Sequence, residues 1–282
     1  MYEILAKEAL GPVTKLYEVQ APVVARKARA GQFVIVRLKA EGERIPLTIA
    51  DYDRERGTIT LVVQELGKST LEMGTLQVGD HLASFTGPLG IPSEIENYGT
   101  VLCVGGGVGI APVFPIARDL KEAGNTVISI VGARNKDLLF WEEKMRSVSD
   151  ELIICTDDGS CGRHGLVTLP LKEMLESERP IEHIWCIGPA IMMKFAMLTI
   201  QPFGVPTTVS LNSIMVDGTG MCGACRVEVG GQTRFVCVDG PEFDGHQVDW
   251  DQLLARQRIY LEQEKQAVER WHHQCRCGEQ GS

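Results

Sequence analysis

The stretch Val101-Leu-Cys-Val-Gly-Gly-Gly-Val-Gly-Ile-Ala-Pro112 reads as a strand, a glycine loop and the first turn of a helix. Residues 101–104 form a continuous apolar run, the pattern of a strand covered on both faces in a parallel sheet. Gly105, Gly106, Gly107 and Gly109 then allow a ligand to approach the backbone closely. A helical segment, 113–123, closes at Gly124. At the first strand of an α/β sheet such a junction is where a pyrophosphate is expected, because a helix N-terminus favours an anion. The loop is not G-x-G-x-x-G, since Pro112 stands where that fingerprint has its last glycine. The motif alone therefore suits a bare glycine turn as well as a dinucleotide site.

Downstream, apolar runs at 127–131, 151–155, 183–187 and 207–211 alternate with helical stretches at 136–148, 167–176 and 190–201. Alternating strand and helix predicts a parallel-sheet α/β domain over 99–211 with right-handed crossovers. Two further loops fall at strand C-terminal ends, where open α/β sheets bind ligands. One is Thr156-Asp-Asp-Gly-Ser-Cys-Gly162, with Asp157 and Asp158; the other is Gly188-Pro189-Ala-Ile-Met-Met193. Either alone is also a serviceable turn.

Upstream, residues 1–98 show short β-rich runs at 13–19, 33–38, 58–63 and 82–85, separated by Gly, Pro and charged turns. They predict an antiparallel β domain, closed into a small barrel to remove exposed edges. Two segments of it stand out: Arg44-Ile-Pro46-Leu47-Thr48 at a strand start, and Gly67-Lys68-Ser69-Thr70 ahead of a helix-like 71–76. Singly they read as a solvated charge and a helix-capping turn. Together they offer an arginine and free backbone N–H groups to a phosphate.

Beyond the α/β domain, Asp217-Gly-Thr-Gly-Met-Cys222-Gly-Ala-Cys225 is followed, after eleven residues, by Cys237. Plant-type [2Fe-2S] sites space three cysteines as C-x4-C-x2-C with a distant fourth. Asp217, Cys222, Cys225 and Cys237 have that spacing with a carboxylate in first place. Gly218, Gly220 and Gly223 let the loop wrap a compact core and turn backbone N–H groups towards its sulfides. Structural zinc takes the same donors but more often shows two separated C-x2-C knuckles, and only one is present. A hairpin about Gly230-Gly231 brings Cys237 back towards the other cysteines, giving a cluster subdomain over 212–248. Residues 249–282 read as a charged amphipathic helix over 250–273 and a tail with Cys275 and Cys277, to which no role is assigned.

With 44% hydrophobic and 23% charged residues in a chain of 282, the composition is that of an ordinary globular protein. A formal charge of −9 argues against a nucleic-acid partner. No apolar run approaches the ~20 residues of a spanning helix, and no membrane partner is expected. The N-terminus lacks the basic-then-apolar layout of a signal peptide. Cys103, Cys155, Cys161 and Cys186 lie mostly in apolar runs, where free thiols are usual, and a reducing cytoplasm fits that usage.

A β-barrel, an α/β domain opening with Gly-Gly-x-Gly-x-x-Pro and a trailing [2Fe-2S] loop resemble the ferredoxin–NADP⁺ reductase superfamily over nearly the whole chain. The resemblance implies FAD as a cofactor. Arg44 would pair with the flavin pyrophosphate, Thr48 would approach N5, and Pro46 and Leu47 would lie against the ring. This looks like a divergent Arg-x-aromatic-Ser/Thr motif that lacks its aromatic. Gly67, Lys68, Ser69 and Thr70 would form a second pyrophosphate segment. Gly105, Gly106, Gly107, Gly109 and Pro112 would form the nicotinamide-nucleotide loop, and Ile187-Gly188-Pro189-Ala-Ile-Met192 resembles the family's Cys-Gly-Pro-x-x-Met with isoleucine in the cysteine place.

A trailing cluster narrows the branch to one that includes the electron-transfer subunit of dihydroorotate dehydrogenase, which carries four cysteine ligands. One aspartate with three cysteines is more similar to the small subunits of NADH-dependent reduced ferredoxin:NADP⁺ oxidoreductases, also described as sulfide dehydrogenases. That resemblance implies hydride exchange with NAD(H) at FAD and single electrons through the cluster, with no catalytic side chain. It also implies electron bifurcation in a heterodimer with a larger flavin and [4Fe-4S] subunit that binds NADP(H), ferredoxin being the redox partner. The preference for NAD comes from the resemblance alone, since Arg134 and Lys136 would suit a 2′-phosphate. Two alternatives stand beside it: the electron-transfer subunit of an NAD-dependent dihydroorotate dehydrogenase, and a non-enzymatic zinc-stabilised binding protein.

Overall fold

A computed structural model of the chain describes residues 2–279, with side chains described to His273. The first third contains β1 (Tyr2–Ala9), β2 (Thr14–Gln20), α1 (Pro22–Lys27), β3 (Phe33–Arg37), β4 (Ile45–Asp53), β5 (Thr58–Gln64), α2 (Lys68–Thr75), β6 (His81–Leu82) and β7 (Ser84–Leu89). Its strands pair antiparallel in the order β6-β1-β2-β5-β4-β3-β7, a near-closed barrel. Alternation fixes which face is inside: Ile59, Leu61 and Val63 of β5 are buried against Tyr17, Val34, Val36 and Phe85. The first half of β4 pairs only with β3, because β5 joins from Ile49 onwards. That leaves one open backbone edge over 45–48, where Pro46 forfeits no ladder bond.

The second unit contains β8 (Thr100–Gly106), α3 (Ile110–Glu122), β9 (Thr126–Ala133), α4 (Glu142–Val148), β10 (Glu151–Thr156), β11 (Arg163–His164), α5 (Thr168–Glu176), β12 (His183–Ile187), α6 (Ala190–Ile200) and β13 (Thr207–Ser210). The chain steps from β8 to β9 and β10 on one side, then returns to place β12 and β13 on the other, all parallel. The reversal puts a crevice at the C-terminal ends of β8 and β12, the switch point of a doubly wound sheet.

The last third holds the hairpin β14 (Arg226–Val229) and β15 (Gln232–Phe235), a turn of helix α7 (Val236–Asp239), β16 (Glu242–Asp244), α8 (Trp250–Gln257) and α9 (Leu261–Glu279). β16 pairs antiparallel with β13, so the segment after Cys237 completes the α/β sheet.

Two expectations about helices are corrected. The stretch 136–148 is a tight turn over Lys136–Leu138 and then α4 from Glu142, because Trp141 takes φ 59 between them. Its indole packs edge-on to Phe114 and Phe140 at centroid distances of 5.5 and 5.7 Å, a tertiary contact that overrides helix propensity. The 250–273 helix is likewise two helices. The Arg258 and Ile259 N–H groups bond to the Ala255 and Arg256 carbonyls three residues back, tightening and ending α8. Cys275 and Cys277 belong by backbone to α9, and their side chains lie outside the described residues.

The three parts share cores. Ala30, Ala50 and Val62 of the barrel pack with Ile110, Val113 and Phe114 of α3. Phe33 and Ile35 join Leu102 and Cys186 of the sheet and Met215, Cys225, Val227 and Cys237 of the cysteine segment in another cluster. Arg118 of α3 clamps the first seam, 2.6 Å from Asp51 and stacked over Tyr52. Among the described residues no helix is long and apolar enough to cross a membrane.

Candidate functional site

A cavity of about 470 Å³ opens at the switch point. Gly106, Gly107 and Val108 line it from the end of β8, Arg134 from the end of β9, Asp157 from the end of β10, and Pro189 and Met192 from the start of α6. Gly107 has φ 55 and open space where a Cβ would point, so bare backbone faces the cavity. At Gly109 a Cβ would lie 2.3 Å from the Ile187 carbonyl oxygen, so glycine is what lets the loop press against β12. Gly105, Gly109, Pro112 and Gly188 do not line the cavity: Gly105 is buried within β8, Gly188 precedes α6, and Pro112 is buried in the first turn of α3, where a missing N–H goes unneeded. Asp158 turns away: its carboxylate accepts the Ser160 N–H at 2.9 Å, and hydrogen bonding with Ser160 holds it below the usual carboxylate range.

The cavity also has a barrel wall of Thr14, Gln64 and Leu66, which nothing in the sequence assigned to it. Leu166, Thr168 and Phe195 were missed too, whereas Ile191 and Met192 belong to the Gly188–Met193 loop that the sequence singled out. Phe195 left a trace in the largely apolar sequence of α6, where it stays about half exposed. Cys186, beside the Gly-Pro turn, is fully buried, and burial pushes its thiol up to about 12. It packs and does not face the cavity.

On the barrel, Arg44 is exposed and its guanidinium has no hydrogen-bond or ion-pair partner among the described residues. Pro46, Leu47 and Thr48 follow on β4, opposite Ile35, Val34 and Phe33, beside the unpaired backbone edge. Gly67 is the N-cap of α2. The Thr70 hydroxyl closes that cap, accepting the Leu66 and Gly67 N–H groups at 3.1 and 3.0 Å. Lys68 pairs with Glu72 at 3.1 Å. The Ser69 hydroxyl donates to the Glu43 carboxylate, so the start of β4 and the start of α2 are neighbours. A carboxylate seated on the first turn of a helix, one residue from an unpaired arginine, marks a place that accepts an anion. These residues fit a flavin diphosphate.

In the cysteine loop the Asp217 carboxylate accepts the Thr219 N–H at 2.9 Å and the Cys222 N–H at 3.1 Å. The backbone bond from Thr219 leads in holding it below the usual range. Gly218, Gly220 and Gly223 have φ of 76, 83 and 66, as the loop's sequence implied. At Gly218 a Cβ would stand 2.8 Å from Ile35 Cγ1 and 3.0 Å from Leu89 Cδ1, so the loop rests directly on barrel strands β3 and β7. Cys225 and Cys237 are buried with their sulfurs 3.3 Å apart, whereas Cys222 is exposed. Two thiolates on one tetrahedral metal, at about 2.3 Å each, would stand about 3.8 Å apart, so this pair is close to a ligating geometry. Among the described residues no three His, Cys, Asp or Glu side chains converge on one point. A two-iron core asks for pairs of donors instead, and pairs are what the loop holds: Cys225 with Cys237, and Asp217 tied to the backbone of Cys222. Burial, and then the bond to Cys225, raise the Cys237 thiol, so metal binding there must release a proton. The donor set fits a [2Fe-2S] cluster.

Barrel, switch-point cavity and cysteine loop together define a pyridine-nucleotide oxidoreductase with an iron–sulfur relay. Comparison with known proteins agrees. Residues 103–197 match the oxidoreductase NAD-binding domain, and residues 212–249 match the iron-sulfur cluster binding domain of dihydroorotate dehydrogenase B. A Thermotoga maritima homolog of the electron transfer subunit of dihydroorotate dehydrogenase B (NAD(+)) is 52% identical, over 95% of both chains. The electron transfer subunit of that enzyme from Desulforamulus reducens is 32% identical over 88% of this chain and 97% of its own. A solved NADH-dependent reduced ferredoxin-NADP oxidoreductase, studied for flavin-based electron bifurcation, contains a chain 51% identical to this one. It superposes with a TM-score of 0.91 over 96% of this chain and 98% of its own. Phthalate dioxygenase reductase, at 17% identity and a TM-score of 0.59 over 86% and 94%, shares the fold. The chain belongs to the family of flavin- and [2Fe-2S]-binding electron-transfer subunits within the ferredoxin–NADP⁺ reductase superfamily. It is an oxidoreductase subunit that exchanges electrons with NAD(H).

Proposed function

We propose that this chain takes electrons from NADH at a flavin held on its barrel and delivers them through a cluster held by Asp217, Cys222, Cys225 and Cys237 to a partner subunit. One observation carries it: the switch-point cavity has a barrel wall, and the cysteine loop rests on the same barrel. Arg44 and the α2 N-terminus hold the diphosphate, the edge beside Pro46, Leu47 and Thr48 receives the ring, and Gly106, Gly107, Asp157 and Pro189 hold the nucleotide. FAD, when bound, supplies the conversion of two-electron hydride chemistry into single electrons. The protein positions the two rings and the cluster around that conversion.

The identity of the partner has two readings. The names of the curated relatives favour a dihydroorotate dehydrogenase, and they support it more widely than the bifurcating reading drawn from the sequence. A larger subunit that binds NADP(H) and works with ferredoxin is favoured by Asp217 in the first ligand place and by the 51% identical solved chain. Anaerobic copurification decides between them. The purified complex is analysed for flavin, iron and sulfide, then assayed for NADH-dependent orotate reduction and for NADP⁺ reduction by NADH together with reduced ferredoxin. A copurified complex without flavin, or with zinc in place of iron and sulfide, would refute both.

A further inference from the structure

The position of α9 is not explained by its own surface. Of its described side chains only Ala267, Val268 and Trp271 are partly covered, and the others are exposed. A helix polar nearly all round gains little by docking, and one of this length is only marginally stable alone. Yet α9 runs beside α2, and a cavity of about 310 Å³ lies between the two. Glu43 and Lys68 bound it on the barrel, and Ala267, Arg270 and Trp271 bound it on α9. Glu43 is the residue seated on Ser69, and it precedes Arg44. The cavity therefore continues outward from the place selected above for the flavin diphosphate.

Its helix wall has the chemistry of the far half of FAD. Arg270 spends its Nε on the Gln266 carbonyl at 3.2 Å, but among the described residues no carboxylate pairs with its guanidinium. Trp271 places a half-buried indole on the same wall. A diphosphate attracts a guanidinium, and an adenine ring stacks on an indole face. Glu43 lines the same space, so a phosphate that takes the Ser69 hydroxyl would have to displace that carboxylate and turn it outward to solvent.

We propose that α9 is a wall of the flavin site, with Arg270 meeting the FAD diphosphate and Trp271 stacking on the adenine. The inference rests on the flavin-binding function proposed above. It extends the site to a helix that lies outside both matched domains.

The test uses the full-length chain freed of flavin and titrated separately with FAD and with FMN, which lacks the adenylate half, following flavin fluorescence. Arg270→Gln with Trp271→Leu is expected to weaken FAD binding at least tenfold and FMN binding, which keeps a single phosphate, by much less, with Trp271→Phe alone retaining most of the FAD affinity. Undiminished FAD affinity in the double variant overturns the proposal. So does an equal loss for both flavins, which would mark a general disturbance of the barrel. If the unaltered chain takes up neither flavin, the flavin-binding function falls first and the proposal with it.

Discussion

Glu242 on β16 sits where barrel, α/β sheet and cysteine segment meet. The residue keeps some surface, but its carboxyl is enclosed, bonded to Ser93 Oγ at 2.6 Å, with Trp185 beside it and Cys103 and Tyr98 within electrostatic reach. Burial raises its pKa from 4.5 to about 7, against weaker opposition from Ser93 and Trp185. The fold therefore prefers the neutral acid. Its contribution to stability is complete below about pH 4.5 and is lost as pH rises through 7. A gap of that size corresponds to about 3 kcal/mol. Glu242→Gln keeps the shape and the hydrogen bond without the ionisation. Denaturant unfolding, followed by the fluorescence of buried Trp185, should give similar stabilities for both proteins near pH 4. By pH 8 the variant should be the more stable by up to about 3 kcal/mol. A difference independent of pH, or a variant less stable at pH 8, would show that Glu242 is not held neutral.

Two further perturbations probe the seam and the cluster. Arg118→Ala removes the 2.6 Å pair with Asp51 and the stacking over Tyr52, in side chains only 24% and 22% exposed. It should cost about 2–3 kcal/mol, and a double-mutant cycle with Asp51→Ala should return a coupling of about 1–2 kcal/mol; strict additivity would remove Arg118 from its role as the clamp. Asp217→Cys exchanges a hard oxygen donor for a softer, more covalent sulfur, so both midpoint potential and visible spectrum should change; if a redox titration finds both unaltered, Asp217 does not ligate the cluster.

What could be read in the sequence was whatever depended on local pattern. The apolar run ahead of Gly105 announced a strand covered on both faces, and β8 lies at the centre of its sheet. Donor spacing singled out Cys225 and Cys237, and the fold brings their sulfurs together. Features fixed by tertiary contact stayed hidden. Trp141 breaks the 136–148 helix without a Gly or Pro, because an aromatic cluster holds its backbone. Thr14, Gln64 and Leu66 reach the switch-point cavity only because the barrel docks on α3. Of the neighbours Asp157 and Asp158, one lines the cavity and one caps a turn, a division that residue type cannot predict. Glu43 reads as an ordinary surface charge until its contact with Ser69 is seen.

The short strand β16 changes what kind of object the cysteine segment is. The chain leaves the sheet after Ser210 and re-enters it at Glu242, and those two residues face each other in the ladder. Both ends of the excursion are thus pinned about one strand spacing apart, roughly 5 Å. The iron-binding part is an insertion within a sheet and not a cassette hung on its end. Trimming the protein after Leu211 would bare the edge of β13, and a graft onto another reductase would have to carry β13 and β16 as a matched pair. During synthesis the ends of the loop can be fixed only after the last strand of the sheet has emerged, so the cluster would be assembled on a scaffold that is already nearly complete.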